Sequence, residues 1–304
     1  MNTNRLGKSD IYVSDLTLGC MSLGTNPTKA KEIIDAALAA GVNHLDTADL
    51  YDFGTNEEIV GEAIKNKRKD IILTSKVGNH FDRAKKDWHW DPSKSHIKNG
   101  LKDSLRRLQT DYLDFYMLHG GTLDDPINET ISAFDELKQE GLIRAYGISS
   151  IRPNVIREYV KRSSIDGVMM QYNLLDRRPE EEILDLLGQH SISVLARGPL
   201  AKGILTEKGI HQIDKKAKDG FLDYSHKELT HIFQELTEAG GSPLSSVALN
   251  YILHHPAVAT TVFGASSVDQ VKDNVNYRLE KPMTDAQYTS LQAITKPIVY
   301  DKHR

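Results

Sequence analysis

Residues 111–150 read DYLDFYMLHGGTLDDPINETISAFDELKQEGLIRAYGISS. Two short apolar runs, 111–119 and 143–150, carry the aromatic and branched residues that favour strands. Between them lies INETISAFDELKQEG (127–141), a helical pattern that ends on a glycine. Neither run alternates polar with apolar residues, so both read as strands buried on both faces. Two such strands joined through a helix are a parallel pair with a crossover.

The same unit recurs in both directions. Toward the amino terminus stand DLTLG (15–19), VNHLD (42–46) and DIILTSK (70–76); toward the carboxyl terminus stand IDGVMMQYN (165–173), SISVLARG (191–198) and AVATTVFG (257–264). The helix between the first two runs, opening at PTKAKEIID, puts Ala30, Ile33, Ile34, Ala37 and Leu38 on one stripe and stops at Gly41. Another helix is expected to open at Thr55, with a capping box to Glu58, and to bury Ile59, Val60, Ala63 and Ile64. A further one is spaced by Ile97, Leu101, Leu105 and Leu108. Eight strands, each followed by a helix, predict an α/β fold, a (β/α)8 or TIM barrel, as one domain over residues 1–304. The competing open, doubly wound sheet usually has fewer strands at this length and a glycine-rich first turn.

Three segments depart from a plain barrel. RLGKSDIYV (5–13) reads as an N-terminal β-hairpin. The loop after the third strand, residues 77–94, is long and holds both tryptophans, and residues 199–257 carry extra helices. Long loops at the C-terminal face of a barrel are usually functional.

Composition removes several function classes. With 304 residues, 39% hydrophobic and 26% charged, the chain can bury a large core. A net charge of −4 argues against a general nucleic-acid binder. The one cysteine, Cys20, precludes an intrachain disulfide. No apolar run long enough to span a membrane occurs, and the start of the chain lacks a signal-peptide pattern. A cytoplasmic chain with no membrane partner is expected. Nothing in the sequence indicates an oligomeric state.

In a parallel barrel the active site lies at the carboxyl ends of the strands. Asp46, Lys76 and His119 end the second, third and fourth strands, and Tyr51 follows in HLDTADLYDFG (44–54). Singly, each has a structural explanation: a helix cap, a solvated charge, a hydrogen-bonded histidine, a packed ring. Jointly they point to one mouth with complementary roles. A phenol is a poor acid at neutral pH, and a neighbouring ammonium stabilises its phenolate. The ammonium needs a carboxylate to hold it, and a neutral imidazole can donate to a substrate oxygen. Such a set suits protonation of an oxyanion as it forms, the chemistry of carbonyl reduction.

The segments LDTADLYDFGTNEEIVGEAIK, ILTSKVG, DFYMLHG, LIRAYGISS, MQYNLLDRR, GPLAKGILT and FGASSVDQVKDN resemble, in family order, the aldo-keto reductases. The resemblance implies a (β/α)8 barrel closed below by the hairpin, and a catalytic tetrad of Asp46, Tyr51, Lys76 and His119. It implies that Asp46 holds Lys76, and that Lys76 tunes Tyr51 as the proton donor to a small carbonyl substrate. It also implies an extended NADPH or NADP+ across the mouth, with NADH not excluded, and no metal. Ser149, Ser150 and Gln171 would hold the nicotinamide carboxamide. Gly198, Pro199, Leu200, Lys202 and Lys208 would run along the pyrophosphate. Gly264, Ser266, Gln270 and Asn274 would meet the adenosine end, with Cys20, Met21 and Asp46 also near the cofactor. Ser266 and Ser267 could equally be plain helix caps. Trp88 and Trp90 are candidates for the apolar wall of the substrate pocket beside Tyr51 and His119, although the loop could equally pack them on its own surface.

Several positions depart from the family pattern. Arg197 stands where many members carry an aromatic ring against the nicotinamide, and Ser266 and Ser267 stand where many carry a cation for the 2′-phosphate. Ser150 replaces a common asparagine. A cofactor-binding module with little turnover is the alternative reading. A phosphate-handling barrel isomerase lacks a glutamate base at the strand ends.

Overall fold

In a computed structural model, which describes residues 1–277 and 281–304, the eight apolar runs are eight parallel strands. They are β1 (Leu16–Gly19), β2 (His44–Asp46), β3 (Ile72–Val77), β4 (Leu113–Leu118), β5 (Ile143–Ser149), β6 (Gly167–Gln171), β7 (Ser193–Arg197) and β8 (Val258–Gly264). Each pairs with its successor and β8 pairs back to β1, Thr261 opposite Leu16, so the sheet closes into a barrel. The ladders begin one or two residues inside most of the apolar runs, because the leading residues finish the preceding turn, as Asp70 does in Arg68–Asp70.

The helices between the strands bury the stripes that their spacing predicts. Pro27–Ala39 buries Ala30, Ile33, Ile34 and Ala37, with Leu38 half-buried, and Lys94–Leu108 buries Ile97, Leu101 and Leu108, with Leu105 half-buried. The helix Thr55–Ile64 corrects one expectation, for it has no capping box. Gly54 is its N-cap, in the left-handed conformation at φ 88, and no side chain caps the end. Thr55 and Glu58 instead accept from the Arg83 guanidinium.

The N-terminal hairpin, Thr3–Arg5 with Tyr12–Ser14, closes the amino end of the barrel. Its turn donates from Gly7 N to Ser193 Oγ at the start of β7. Gly7 has φ +57, and a Cβ there would meet the Asp166 carbonyl at 2.2 Å, so only glycine fits. Leu6, Ile11 and Val13 share a cluster with the interior residues Phe115, Met117, Met169 and Leu195. The floor is therefore packed, and the open end is the carboxyl end. No helix among the described residues is long and apolar enough to cross a membrane.

The loop after β3 is more ordered than its sequence suggests. Asn79–Asp82 and Asp87–Trp90 form an antiparallel hairpin. Between β7 and β8 lie the helices Gly209–Lys216, His226–Gly240 and Leu244–His254.

Candidate active site

Neighbouring strands bring the four polar candidates together. Asp46 ends β2, Lys76 is the last residue but one of β3, and His119 follows β4, donating its backbone N–H to Val77 O at 2.7 Å. Tyr51 opens a tight turn, Tyr51–Gly54, in which Asp52 and Phe53 take φ values of 49° and 50°. Lys76 Nζ is the hub. It donates to Asp46 Oδ2 at 2.8 Å, to Thr47 O at 2.8 Å and to Tyr51 Oη at 3.2 Å. The Tyr51 and His119 rings meet edge to face at 5.8 Å between centroids.

Lys76 is 1% exposed and Asp46 3%. Burial opposes a charged amine, but Asp46 and then Tyr51 outweigh it, and the ammonium stands above its ordinary range. At His119, burial first, then the charges of Lys76 and Arg197, lower the imidazole to about 3, so it is neutral at physiological pH. Its Nδ1 is buried without a partner among the described residues. Such a group can serve as a neutral hydrogen-bond donor or acceptor, not as a cation.

These groups open onto a cavity of about 1130 Å³ at the carboxyl ends of the strands. Asp46, Tyr51 and His119 line it. So do Met21, Ser149, Ser150, Arg197, Gly198, Pro199, Leu200, Lys202, Lys208, Gly264, Gln270 and Asn274.

Other expected contacts lie elsewhere. Cys20 is fully buried under the rim, where burial pushes its thiol up, and it does not line the cavity. Gln171 stands behind Arg197, its amide shared between Arg197 Nη1 and Asp176 Oδ2. Ser266 turns its hydroxyl to Gln270 Oε1, and Ser267 caps the helix Val268–Val275 by accepting from Gln270 N. Trp88 is 52% exposed on the hairpin and away from the cavity. Trp90 stands one layer behind the cavity wall, its ring against Gly78 and the cavity residue Gly120, its Nε1 donating to Asp125.

The cavity also contains residues that sequence reasoning passed over. Arg152, two residues beyond Ser150, lines it and donates to Gly121 O at 2.7 Å. Gln212 and Lys216 project into it from one face of the helix Gly209–Lys216, and their i, i+4 spacing was the available signal. Glu207 and Asp273 add two carboxylates to the lining.

This lining fits an extended nicotinamide dinucleotide. Lys202, Lys208 and Lys216 line it, Lys216 Nζ donating to Lys202 O at 2.9 Å, and together they offer positive charge to an anionic linker. Farther on, Asn274, in the last turn of Val268–Val275, leaves a buried Oδ1 without a partner among the described residues.

Comparison with known proteins agrees with this architecture. Residues 15–296 match the aldo/keto reductase family. The chain is 53% identical over 306 residues to the uncharacterized oxidoreductase YqkF of Bacillus subtilis (strain 168), covering all of both chains. It is 29% identical over 320 residues to the NADH-specific methylglyoxal reductase of Escherichia coli (strain K12), covering 96% of this chain and 98% of that one. The holo form of aldo-keto reductase AKR11C1 from Bacillus halodurans superposes with a TM-score of 0.94 at 53% identity, covering 100% of this chain and 99% of that one. With its closed barrel and the match over nearly its whole length, this chain belongs to the aldo/keto reductase family of oxidoreductases.

Proposed function

We propose that the protein reduces small aldehydes or ketones to alcohols with a reduced nicotinamide dinucleotide, NADPH in the first place and NADH as well, and that Tyr51 is the proton donor. The observation that carries this reading is the position of the buried Lys76 ammonium, 2.8 Å from Asp46 and 3.2 Å from the Tyr51 hydroxyl. The cofactor supplies the hydride. Ser149 and Ser150 hold its carboxamide end, with Gln171 positioning Arg197, while the lysines hold the linker and Gln270 and Asn274 the adenosine end.

The chain's own residues do the rest. Neutral His119 orients the carbonyl oxygen by a hydrogen bond. As negative charge grows on that oxygen, Tyr51 Oη releases its proton to it, leaving an alcohol and a phenolate. Lys76 stabilises the phenolate, and Asp46 keeps Lys76 in place. The cavity walls shield these charges from water, which strengthens each interaction.

Two observations support admitting NADH. No cation stands at 266 or 267, and Asp273 lines the cavity together with Gln270 and Asn274. The NADH-specific Escherichia coli relative is a reductase of a small dicarbonyl, which supports the substrate class as well.

The test is NADPH consumption with 4-nitrobenzaldehyde. Tyr51→Phe is expected to lose about 10² to 10⁴ in rate while still binding nucleotide. Equal rates in parent and variant would discard Tyr51 as the acid. Tight nucleotide binding with no turnover of any aldehyde or ketone would favour a binding module instead.

A further inference from the structure

Outside the barrel mouth, the hairpin Asn79–Asp82/Asp87–Trp90 carries a second group of chemistry-bearing side chains. His80 and His89 are cross-strand partners, and their rings stack at 4.9 Å. His80 also stacks with His96, in the first turn of Lys94–Leu108, at 5.0 Å. Asp91 stands between hairpin and helix with Oδ2 3.7 Å from His80 Nδ1. One ligand atom each from His80, His89 and Asp91 all lie within 4.8 Å of one another. None of these residues takes part in the carbonyl chemistry above.

Behind this cluster lies a cavity of about 340 Å³, separate from the active-site cavity and lined by His80, Asp91, His96, Asp49, Asp103 and Arg107. Its polar walls are unsatisfied. Asp49 is 2% exposed, and its buried Oδ1 has no partner among the described residues. His96 Nε2 is likewise buried and unpartnered. Buried polar atoms without partners are rare, and a bound ion is one way to satisfy them. Asp49, Asp91 and Asp103 share this wall with one guanidinium, Arg107, which is committed to Glu57 at 2.6 Å; Asp103 already pairs with Arg106 at 3.1 Å, so Asp91 is the carboxylate left to face a cation.

We propose that this face binds one divalent transition cation of the zinc class through His80, His89 and Asp91, with His96 beside the fourth position. Imidazole nitrogen with one carboxylate oxygen suits zinc, nickel or cobalt, whereas magnesium and calcium prefer oxygen-only sets. Tetrahedral zinc with arms of about 2.0–2.2 Å brings ligand atoms to roughly 3.4 Å apart, so the ligand atoms, now within 4.8 Å, must close by at most about 1.4 Å. His80 and His89 are exposed, so their rings can turn. The hairpin is already tied to the body at Trp90 Nε1 to Asp125 and at Phe81 against Phe53. The cation adds a tie within this surface, and binding to the folded state alone raises stability.

The experiment uses untagged full-length protein, freed of metal with a chelator and titrated with zinc chloride by calorimetry. One saturable site is expected, with a thermal midpoint that rises with zinc. His80→Ala and His89→Ala are each expected to weaken zinc binding at least about tenfold, since even the loss of an outer-shell partner costs about 10- to 100-fold. The double variant is expected to lose the thermal shift, with circular dichroism and nucleotide binding unchanged. No saturable zinc binding in the parent, binding that survives the double substitution, or magnesium binding as tight as zinc would each overturn the assignment.

Discussion

Arg197 Nη1 donates to Gln171 Oε1 at 3.2 Å, linking the last residues of β7 and β6, which are paired in the ladder. Gln171 Nε2 donates in turn to Asp176 Oδ2 at 2.7 Å, so the chain of bonds holds the guanidinium at the cavity wall. Its charge helps to keep His119 neutral.

A fixed cation at that wall disfavours a positively charged nicotinamide ring. Arg197→Trp is therefore expected to tighten NADP+ relative to NADPH by about tenfold, or about 1.4 kcal/mol. Fluorescence titration of both forms measures the ratio; an unchanged ratio would mean that the guanidinium lies away from the ring.

Cofactor choice is best probed at Ser266 rather than Ser267. Ser267 caps the helix Val268–Val275, and removing a cap costs about 1 kcal/mol by itself. Among the described residues, Ser266 bonds only to Gln270. Ser266→Arg should shift the ratio of kcat/KM for NADPH over NADH upward about tenfold. No shift would place a 2′-phosphate elsewhere.

Acid sensitivity follows from two buried imidazoles. His44 bonds Thr17 Oγ1 through Nδ1 and Thr74 Oγ1 through Nε2, and burial first, then Lys76, lowers it to about 3, as at His119. Unfolded, each ring takes up a proton below about pH 6.5; folded, it does not until about pH 3. Their stability contribution is thus complete above about pH 6.5 and is lost as pH falls toward 3, by about 1.4 kcal/mol per pH unit per ring. Urea unfolding at pH 7 and pH 5 should show His119→Asn losing about 2 kcal/mol less than the parent. Parent kcat/KM should show no limb from His119 near pH 6.5, because that ring does not titrate there.

The role of Lys76 separates into stability and chemistry. Lys76→Met leaves the Asp46 carboxylate buried without its cation, at a cost of about 3–5 kcal/mol. Adding Asp46→Leu should recover most of that stability, because an apolar pair of similar volume is tolerated. Carbonyl reduction should stay lost in the double variant, since the phenolate then has no cation. Recovery of turnover with stability would reduce the pair to packing.

The strands and the four polar groups at or just beyond their ends were readable in the chain because both depend on local order. A strand buried on both faces must be apolar throughout, and a residue at its carboxyl end must point to the barrel mouth. The capping box at Thr55 was misread because Gly54 reaches a left-handed backbone that needs no side-chain cap, freeing Thr55 and Glu58 for Arg83. The hairpin after β3 escaped notice because its turn, RAKK at 83–86, has no glycine or asparagine; Lys86 takes φ 54 itself.

The amino-acid sequence by itself determined the eightfold strand–helix alternation, the closing hairpin and the residue types at each strand end, since period and composition act over a few neighbours. Only the tertiary structure decided that Trp88 faces outward, that Cys20 lies under the rim, and that Arg152 and Lys216 reach the cavity. Those outcomes depend on how far a side chain extends across a closed barrel, a distance set by strands and helices remote in the chain.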